Sequence, residues 1–104
     1  MATTTTTSTL TSTAAFGSDV VVDMLQALGI EFVALNPGAS YRGLHDSLVN
    51  YGAGSPEIIL CNHEEIAVAL AQGYGRAAGK PMAAFVHDIV GLLHASMAMF
   101  NAWM

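Results

Sequence analysis

Basic residues are scarce in this chain of 104 residues, which carries three Lys and Arg against eight Asp and Glu. The formal net charge of −5 repels the phosphates of nucleic acids and the headgroups of anionic lipids. The most apolar stretch, residues 89–104, is interrupted by polar residues and is shorter than the roughly 20 residues that a membrane span needs. We therefore expect no nucleic-acid partner and no membrane partner.

Cysteine is almost absent as well. Cys61 is the single cysteine, so an internal disulfide cannot form, and nothing near it repeats the paired spacing of a structural zinc site. We expect no metal site within this chain. The first residues have neither the cationic region of a secretory signal nor the arginines of a transit peptide. A reducing, cytoplasmic location fits these absences best.

The remaining composition predicts one domain. Apolar residues make up 53% of the chain, which is long enough to bury a core of its own. Residues 1–16, rich in Thr and Ser, are predicted to be a disordered tail, and residues 17–104 to form the domain. The last residues stop without Gly, Pro or a polar run, as if inside a helix, so we expect an incomplete domain and a fragment.

Three short apolar runs, IEFVAL, EIILC and MAAFVH, are predicted strands, and helical patterns separate them. Ser18 is the predicted N-cap of the first helix, which Gly29 ends. Asn62, with Glu65 three positions on, is a capping signature for a later helix. The chain returns to helical character from about Leu92. Strands that alternate with helices predict an α/β fold with a parallel sheet covered by helices.

Two adjacent carboxylates, Glu64 and Glu65, begin a helix that is otherwise poor in charge. At about 100° per residue, Glu65 shares a face with Gln72, Arg76 and Lys80, so we expect it in solvent, whereas Glu64 points toward a stripe of small apolar residues. Burial raises the pKa of a carboxyl unless a partner pairs with it, which makes Glu64 a candidate functional acid. Alternatively, both acids merely favour the helix dipole and the unpaired amides of the first turn.

The stretch NHEEIAVALAQGYGRAAGKP, which follows ALNPGAS, resembles the N-terminal pyrimidine-binding domain of thiamine-diphosphate-dependent enzymes, the group that contains acetolactate synthase, benzoylformate decarboxylase and pyruvate decarboxylase. The likeness runs from about Ser18 to the last residue. Its most specific part is a Glu followed nine positions later by Gly-Tyr, here Glu64 and Gly73-Tyr74. The resemblance implies that Glu64 hydrogen-bonds N1′ of the cofactor's aminopyrimidine and favours the imino tautomer, which removes the proton from thiazolium C2.

The closing segment VHDIVGLLHASMAMFNAW resembles benzoylformate decarboxylase and acetolactate-synthase-like members. This resemblance implies that His87 is an active-site histidine used for proton transfer; the alternative is a polar residue that caps a strand end. It also implies that the loop Asn36-Pro37-Gly38 and Gly91 contribute to the cofactor site.

Two positions depart from the family's pattern: Ala39 stands where decarboxylases place a substrate-contacting Ser, and Leu93 where a loop Gly is usual. The Gly-Asp-Gly...Asn motif, through which a separate C-terminal domain of the family holds the diphosphate and Mg²⁺, does not occur in this chain. The resemblance implies thiamine diphosphate as the cofactor, with Mg²⁺ bound only through that missing domain. It further implies a 2-keto acid substrate in the complete enzyme, decarboxylated or carboligated, and a homo-oligomer, a dimer or a tetramer.

Two other readings stay open. Cys61 lies where a strand turns into a helix with His63 nearby, which is a setting for a nucleophile in a cysteine-dependent hydrolase or lyase. The second reading is a non-catalytic interaction fragment, because the chain is apolar, carries little charge and therefore favours a buried interface.

Overall fold

The computed structural model describes residues 13–104. Residues 1–12 of the predicted disordered tail, which was to span residues 1–16, lie outside the described residues. The elements are, in chain order, α1 (Gly17–Ala27), β1 (Phe32–Leu35), a short 3₁₀-helix (Ala39–Tyr41), α2 (Arg42–Asn50), β2 (Glu57–Leu60), α3 (Glu64–Ala78), β3 (Ala83–Phe85), α4 (Asp88–His94) and α5 (Ser96–Trp103).

The three strands form one parallel sheet in the order β2-β1-β3. The central strand β1 places Ala34 opposite Ile59 of β2 on one side and opposite Ala84 of β3 on the other. Sequential strands that run parallel need a helical crossover between them, which α2 and α3 provide. The predicted α/β fold with a parallel, helix-covered sheet is therefore confirmed.

Alternating residues of β1 face two separate layers of helices. Val33 and Leu35 are fully buried against Val22 of α1 and Leu48 of α2. Ala34, between them, points to the opposite face. There it packs with Cys61 and with Ala67 of α3, a cluster of small side chains that brings α3 close to the sheet. The buried run of apolar residues in β1 follows from this cover on both faces.

Helix α1 is capped differently from the prediction. Its N-cap is Phe16, and Ser18 lies inside the first turn, so the prediction of a Ser18 cap is wrong. The Asp19 carboxylate does the capping, since its Oδ2 accepts 3.0 Å hydrogen bonds from the backbone N–H groups of Ala15 and Phe16. Gly29 follows the helix with φ of 70°, and its predicted place at the helix end is confirmed.

Helix α3 begins one residue later than the capping signature predicted. His63, not Asn62, is the N-cap, and its Nδ1 accepts the Glu65 N–H at 3.2 Å. Helical structure after β3 begins at Asp88, four residues before the predicted Leu92. Gly91 and His94 therefore belong to α4, a placement that matters for the site.

The carboxyl ends of the three strands meet at one edge of the sheet, because all three run in the same direction. The first turns of α3 and α4 and the segment Asn36–Ala39 lie at this edge. Open parallel sheets bind ligands at that edge. Within residues 13–104, no helix is long and apolar enough to cross a membrane.

Candidate functional site

A cavity of about 520 Å³ opens at the carboxyl edge of the sheet. The loop after β1, the start of α3 and the segment from β3 into α4 line it. The lining residues are Asn36, Pro37, Gly38, Ala39, Asn62, His63, Glu64, His87, Val90 and His94. The structure thus brings together five of the six residues predicted for catalysis or cofactor binding, from three separate parts of the sequence. The sixth, Gly91, lies directly against the Glu64 side chain.

Glu64 is the buried acid of this cavity. It is 4% exposed, whereas Glu65 lies in solvent, so the predicted division between the two carboxylates is confirmed. The stripe beside Glu64 is only partly buried: Ala67 is covered, but Leu70 is 38% exposed.

Three partners act on the Glu64 carboxylate. Burial alone raises its pKa, but its own backbone N–H, the Asn36 side chain and His94 act in the opposite direction, and the net effect lowers the pKa below its usual value. The His94 Nδ1 lies 3.3 Å from Glu64 Oε2, within hydrogen-bonding distance. Glu64 is therefore an ionised hydrogen-bond acceptor at neutral pH.

Gly91 allows α4 to approach this carboxylate. A Cβ atom at Gly91 would lie 3.0 Å from both Cγ and Oε1 of Glu64 and from the carbonyl carbon of Val86. A larger residue would push the Glu64 side chain or the backbone away. Gly91 thus acts on the candidate site through its packing against Glu64.

His87 is held by the loop that follows β1. Its Nε2 accepts a 3.4 Å hydrogen bond from the Ser40 backbone N–H, which places the proton of a neutral ring on Nδ1. The His87 side chain lies close to Gly38, where an added Cβ would be only 1.9 Å from His87 Cδ2. His87 is the N-cap of α4 but makes no capping hydrogen bond with its side chain. The side chain of His87 therefore does not cap α4, and its hydrogen bond to Ser40 is compatible with either of the two roles predicted for it.

The loop itself is fixed by Tyr41, whose hydroxyl donates a hydrogen bond to the Asn36 backbone carbonyl. Burial raises the pKa of the Tyr41 hydroxyl, and the negative charge of Glu64 adds to the effect. Tyr41 therefore stays protonated and keeps its role as a donor.

Two site residues, His63 and His94, were missed in the sequence. Their rings stack with centroids 4.7 Å apart and planes 21° apart. The signal for His94 is its helical spacing of three from Gly91, which places both on one face of α4. The sequence predicts a helix only from Leu92, so Gly91 falls outside it and the spacing gives no signal for His94.

His63, Glu64 and His94 offer three ligand atoms within 4.8 Å of one another. Two nearly parallel rings at this stacking distance cannot both aim a lone pair at one ion about 2.0–2.1 Å away, the usual Zn–N distance. His63 Nδ1 is also already the acceptor for the Glu65 N–H. The arrangement fits a hydrogen-bonded cluster rather than a metal centre.

Cys61 is a core residue. It is 6% exposed, packs with Ala34 and Ala67, and does not line the cavity. Burial raises the pKa of its thiol, and a hydrogen bond to the Leu35 backbone offsets this only in part. A protonated, buried thiol is a poor nucleophile, so the geometry opposes the cysteine-dependent reading.

A parallel α/β domain with a cavity and a buried glutamate at the carboxyl edge of its sheet has the architecture in which open parallel sheets bind ligands. Residues 16–104 match the model of the thiamine pyrophosphate enzyme family, N-terminal TPP binding domain. The chain belongs to this family.

Individual relatives are acetolactate synthases. The chain is 35% identical over 86 residues to acetolactate synthase of Bacillus subtilis, which covers 83% of this chain and 15% of that protein. It is 32% identical over 87 residues to the acetolactate synthase large subunit of Haemophilus influenzae, covering 84% of this chain and 15% of the relative. Over 64 residues, it is 39% identical to the large subunit of acetolactate synthase isozyme 2 of Escherichia coli, covering 62% of this chain and 11% of that protein. The chain therefore spans 15% or less of the length of these curated relatives.

Proposed function

We propose that this chain forms the pyrimidine-binding part of a thiamine diphosphate site, in which Glu64 is the catalytic carboxylate. The observation that carries the proposal is the burial of an ionised Glu64 beside the cavity at the carboxyl edge of the sheet, in a chain of this family.

The residues present fit an aminopyrimidine. A desolvated carboxylate is a strong acceptor for a ring N–H, and a hydrogen bond to an ionised group contributes about 1.5–3 kcal/mol. Pro37 and Val90 give the cavity apolar walls against which a flat ring can pack. When bound, the cofactor supplies the carbanion chemistry, while the protein supplies orientation and electrostatics.

Around Glu64 the other residues have supporting roles. The Asn36 side chain hydrogen-bonds the carboxylate and limits its rotation. His87, with its proton on Nδ1, is positioned as a hydrogen-bond donor and proton carrier at the edge of the cavity. Ala39, which also lines the cavity, offers no hydroxyl to a substrate.

For the whole protein, we propose a 2-keto acid as the substrate. The names of the matched relatives favour carboligation over decarboxylation. The diphosphate and Mg²⁺ would be held by a further domain, as the family pattern leads us to expect. A homo-oligomer, a dimer or a tetramer, would complete the site. We propose the cytoplasm as its location.

A second candidate is a non-catalytic interaction domain. Large apolar side chains on the last two helices are exposed, among them Ile89 at 69%, Leu93 at 66% and Trp103 at 87%. Such a face favours a partner. If the 104-residue chain elutes in gel filtration as a monomer and binds no hydrophobic dye, this candidate is contradicted.

The test of the first proposal uses the 104-residue chain and the isolated aminopyrimidine, 4-amino-5-hydroxymethyl-2-methylpyrimidine, which needs no diphosphate site. Binding is followed by changes in the amide NMR spectrum. The matched variants are Glu64→Gln and Glu65→Gln, because both remove one carboxylate charge from the first turn of the same helix.

We expect Glu64→Gln to weaken binding about 10- to 100-fold, the equivalent of losing a hydrogen bond to an ionised group. Glu65→Gln should leave the affinity within a factor of about two, since an exposed charge is screened by solvent. Equal losses in the two variants, or no binding by the unaltered chain at millimolar ligand, would contradict the proposal.

A further inference from the structure

Four titratable side chains face Glu64 from the elements around it. His63 belongs to the N-cap of its own helix, His94 to α4, His87 to the segment before α4, and Tyr41 to the 3₁₀-helix. Of these four side chains, His94 is the one that hydrogen-bonds the carboxylate. This contact joins residues 30 positions apart in the sequence.

The His94 ring is itself held in place. One face stacks on His63 at 4.7 Å, and His63 is fixed in turn because its Nδ1 accepts the Glu65 N–H. The side chain of His94 is 49% exposed, whereas that of Glu64 is 5% exposed. A half-exposed imidazole thus connects a buried carboxylate to the solvent edge of the cavity.

Gly91 bounds the carboxylate on its other side. It lies one turn before His94 on α4, and a Cβ added at Gly91 would lie 3.0 Å from both Cγ and Oε1 of Glu64, while His94 contacts Oε2. Helix α4 therefore approaches both oxygens. Rotation of the carboxylate would break the His94 contact.

We propose that His94 is a positioning residue, which holds Glu64 Oε2 and thereby fixes the orientation in which the carboxylate meets a ligand. This inference rests on the proposed function, because the ligand in question is the aminopyrimidine. Burial raises the pKa of Glu64, but its backbone N–H, Asn36 and His94 together lower it below its usual value. The contribution of His94 to this lowering agrees with the positioning role.

The experiment measures Glu64 directly and without ligand. The ¹³Cδ resonances of the glutamates in the 104-residue chain are followed by NMR as the pH is lowered, in the unaltered chain, in His94→Ala and in His94→Gln. His45→Ala on α2 is the control, since His45 does not line this cavity. The amide spectrum of each variant reports whether it is folded.

We expect the titration midpoint of Glu64 to move up in His94→Ala, and to move less in His94→Gln, whose amide keeps a hydrogen-bond donor. The midpoint in His45→Ala should match that of the unaltered chain. A merely structural role of His94 would not move the midpoint of one carboxyl selectively. If both His94 variants titrate Glu64 at the unaltered midpoint, the inference is overturned. If His94→Ala does not fold, His94→Leu takes its place, because leucine keeps most of the volume but removes the hydrogen-bonding group, and an unshifted midpoint in His94→Leu overturns the inference.

The two proposals fail in different ways. The titration uses no ligand, so an unshifted midpoint overturns the role of His94 and leaves aminopyrimidine binding untouched. Conversely, absence of aminopyrimidine binding by the unaltered chain overturns the proposed function whatever the titration shows. When both hold, His94→Ala should also weaken aminopyrimidine binding, but less than Glu64→Gln does.

Discussion

The contact between Gly38 and His87 gives the sharpest steric prediction, the effect of Gly38→Ala. The backbone at Gly38 has φ of −147° and ψ of 150°, an extended conformation that any residue adopts, so alanine causes no backbone strain. The added Cβ would lie 1.9 Å from His87 Cδ2 and 2.6 Å from Cγ. Ordinary contacts begin near 3.4 Å, so the ring must move by at least about 1.5 Å.

His87 is half-buried, so the side chain can move without unfolding the domain. We expect a loss of about 1–3 kcal/mol in the free energy of unfolding, which is typical of an added methyl group in a tight site. The movement also breaks the hydrogen bond between His87 Nε2 and the Ser40 N–H. Under the proposed role of His87 as a proton carrier, a displacement above 1 Å should reduce the turnover of the whole protein by about 100-fold.

The assay follows the His87 ring resonances by NMR and the unfolding free energy in urea. Gly73→Ala is the matched control, because no atom lies within 4 Å of a Cβ at Gly73 and the position is inside α3. That control should stabilise the chain by about 0.5–1 kcal/mol through better helix propensity and leave His87 unchanged. Unaltered His87 resonances in Gly38→Ala would refute the reasoning.

Two further predictions concern stability. Leu48→Ala should lower the free energy of unfolding by about 2–5 kcal/mol, because Leu48 is fully buried in the cluster beneath α1 and α2; a urea denaturation curve that matches the unaltered chain would show that this cluster is not the core. Acid should destabilise the chain, because the pKa values of Asp19 and Glu64 are lowered from 3.8 and 4.5 in the folded state. The unfolded chain then binds more protons, so stability is fully present above those values and falls as the pH drops through the folded pKa values. Asp19→Asn and Glu64→Gln should each flatten the decline of unfolding free energy between pH 7 and acid pH, and an equally steep decline in both would contradict this linkage.

Much of the fold follows from local patterns. The three apolar runs become strands, and β1, the central one, is buried on both faces, where a parallel strand needs little but β-branched and apolar residues. The two edge strands β2 and β3 are less buried. Helix ends were harder. Asn62 and Ser18 are good N-cap residues, but the chain enters α3 through His63 and enters α1 through Phe16, with Asp19 accepting from the preceding amides. The N-cap is set by the residue at which the chain turns into the helix. The amino-acid sequence does not determine that residue to within one position.

Part of the candidate site, the division between Glu64 and Glu65, could be predicted from the sequence because it depends on a single helix. The burial of Glu64 and the exposure of Glu65 follow from the angular spacing within α3 alone. The contact between Gly38 and His87 was not predictable in this way, because it depends on β3 lying beside β1. That strand order brings the loop after β1 to the start of α4. His94 depends in addition on the earlier start of α4.

The groups that hydrogen-bond the Glu64 carboxylate matter for the proposed recognition of the aminopyrimidine. From burial alone, a protonated acid would be expected, and it would donate a hydrogen bond to a ring nitrogen. Its own backbone N–H, the Asn36 side chain and His94 together outweigh burial and lower the pKa, so the carboxylate is an acceptor before any ligand arrives. An acceptor favours the form of an aminopyrimidine that carries a proton on its ring nitrogen, because a neutral ring nitrogen has only a lone pair to offer. Under the proposed function, the groups that hydrogen-bond Glu64, rather than its burial, would therefore decide which protonation state of the ligand the site selects.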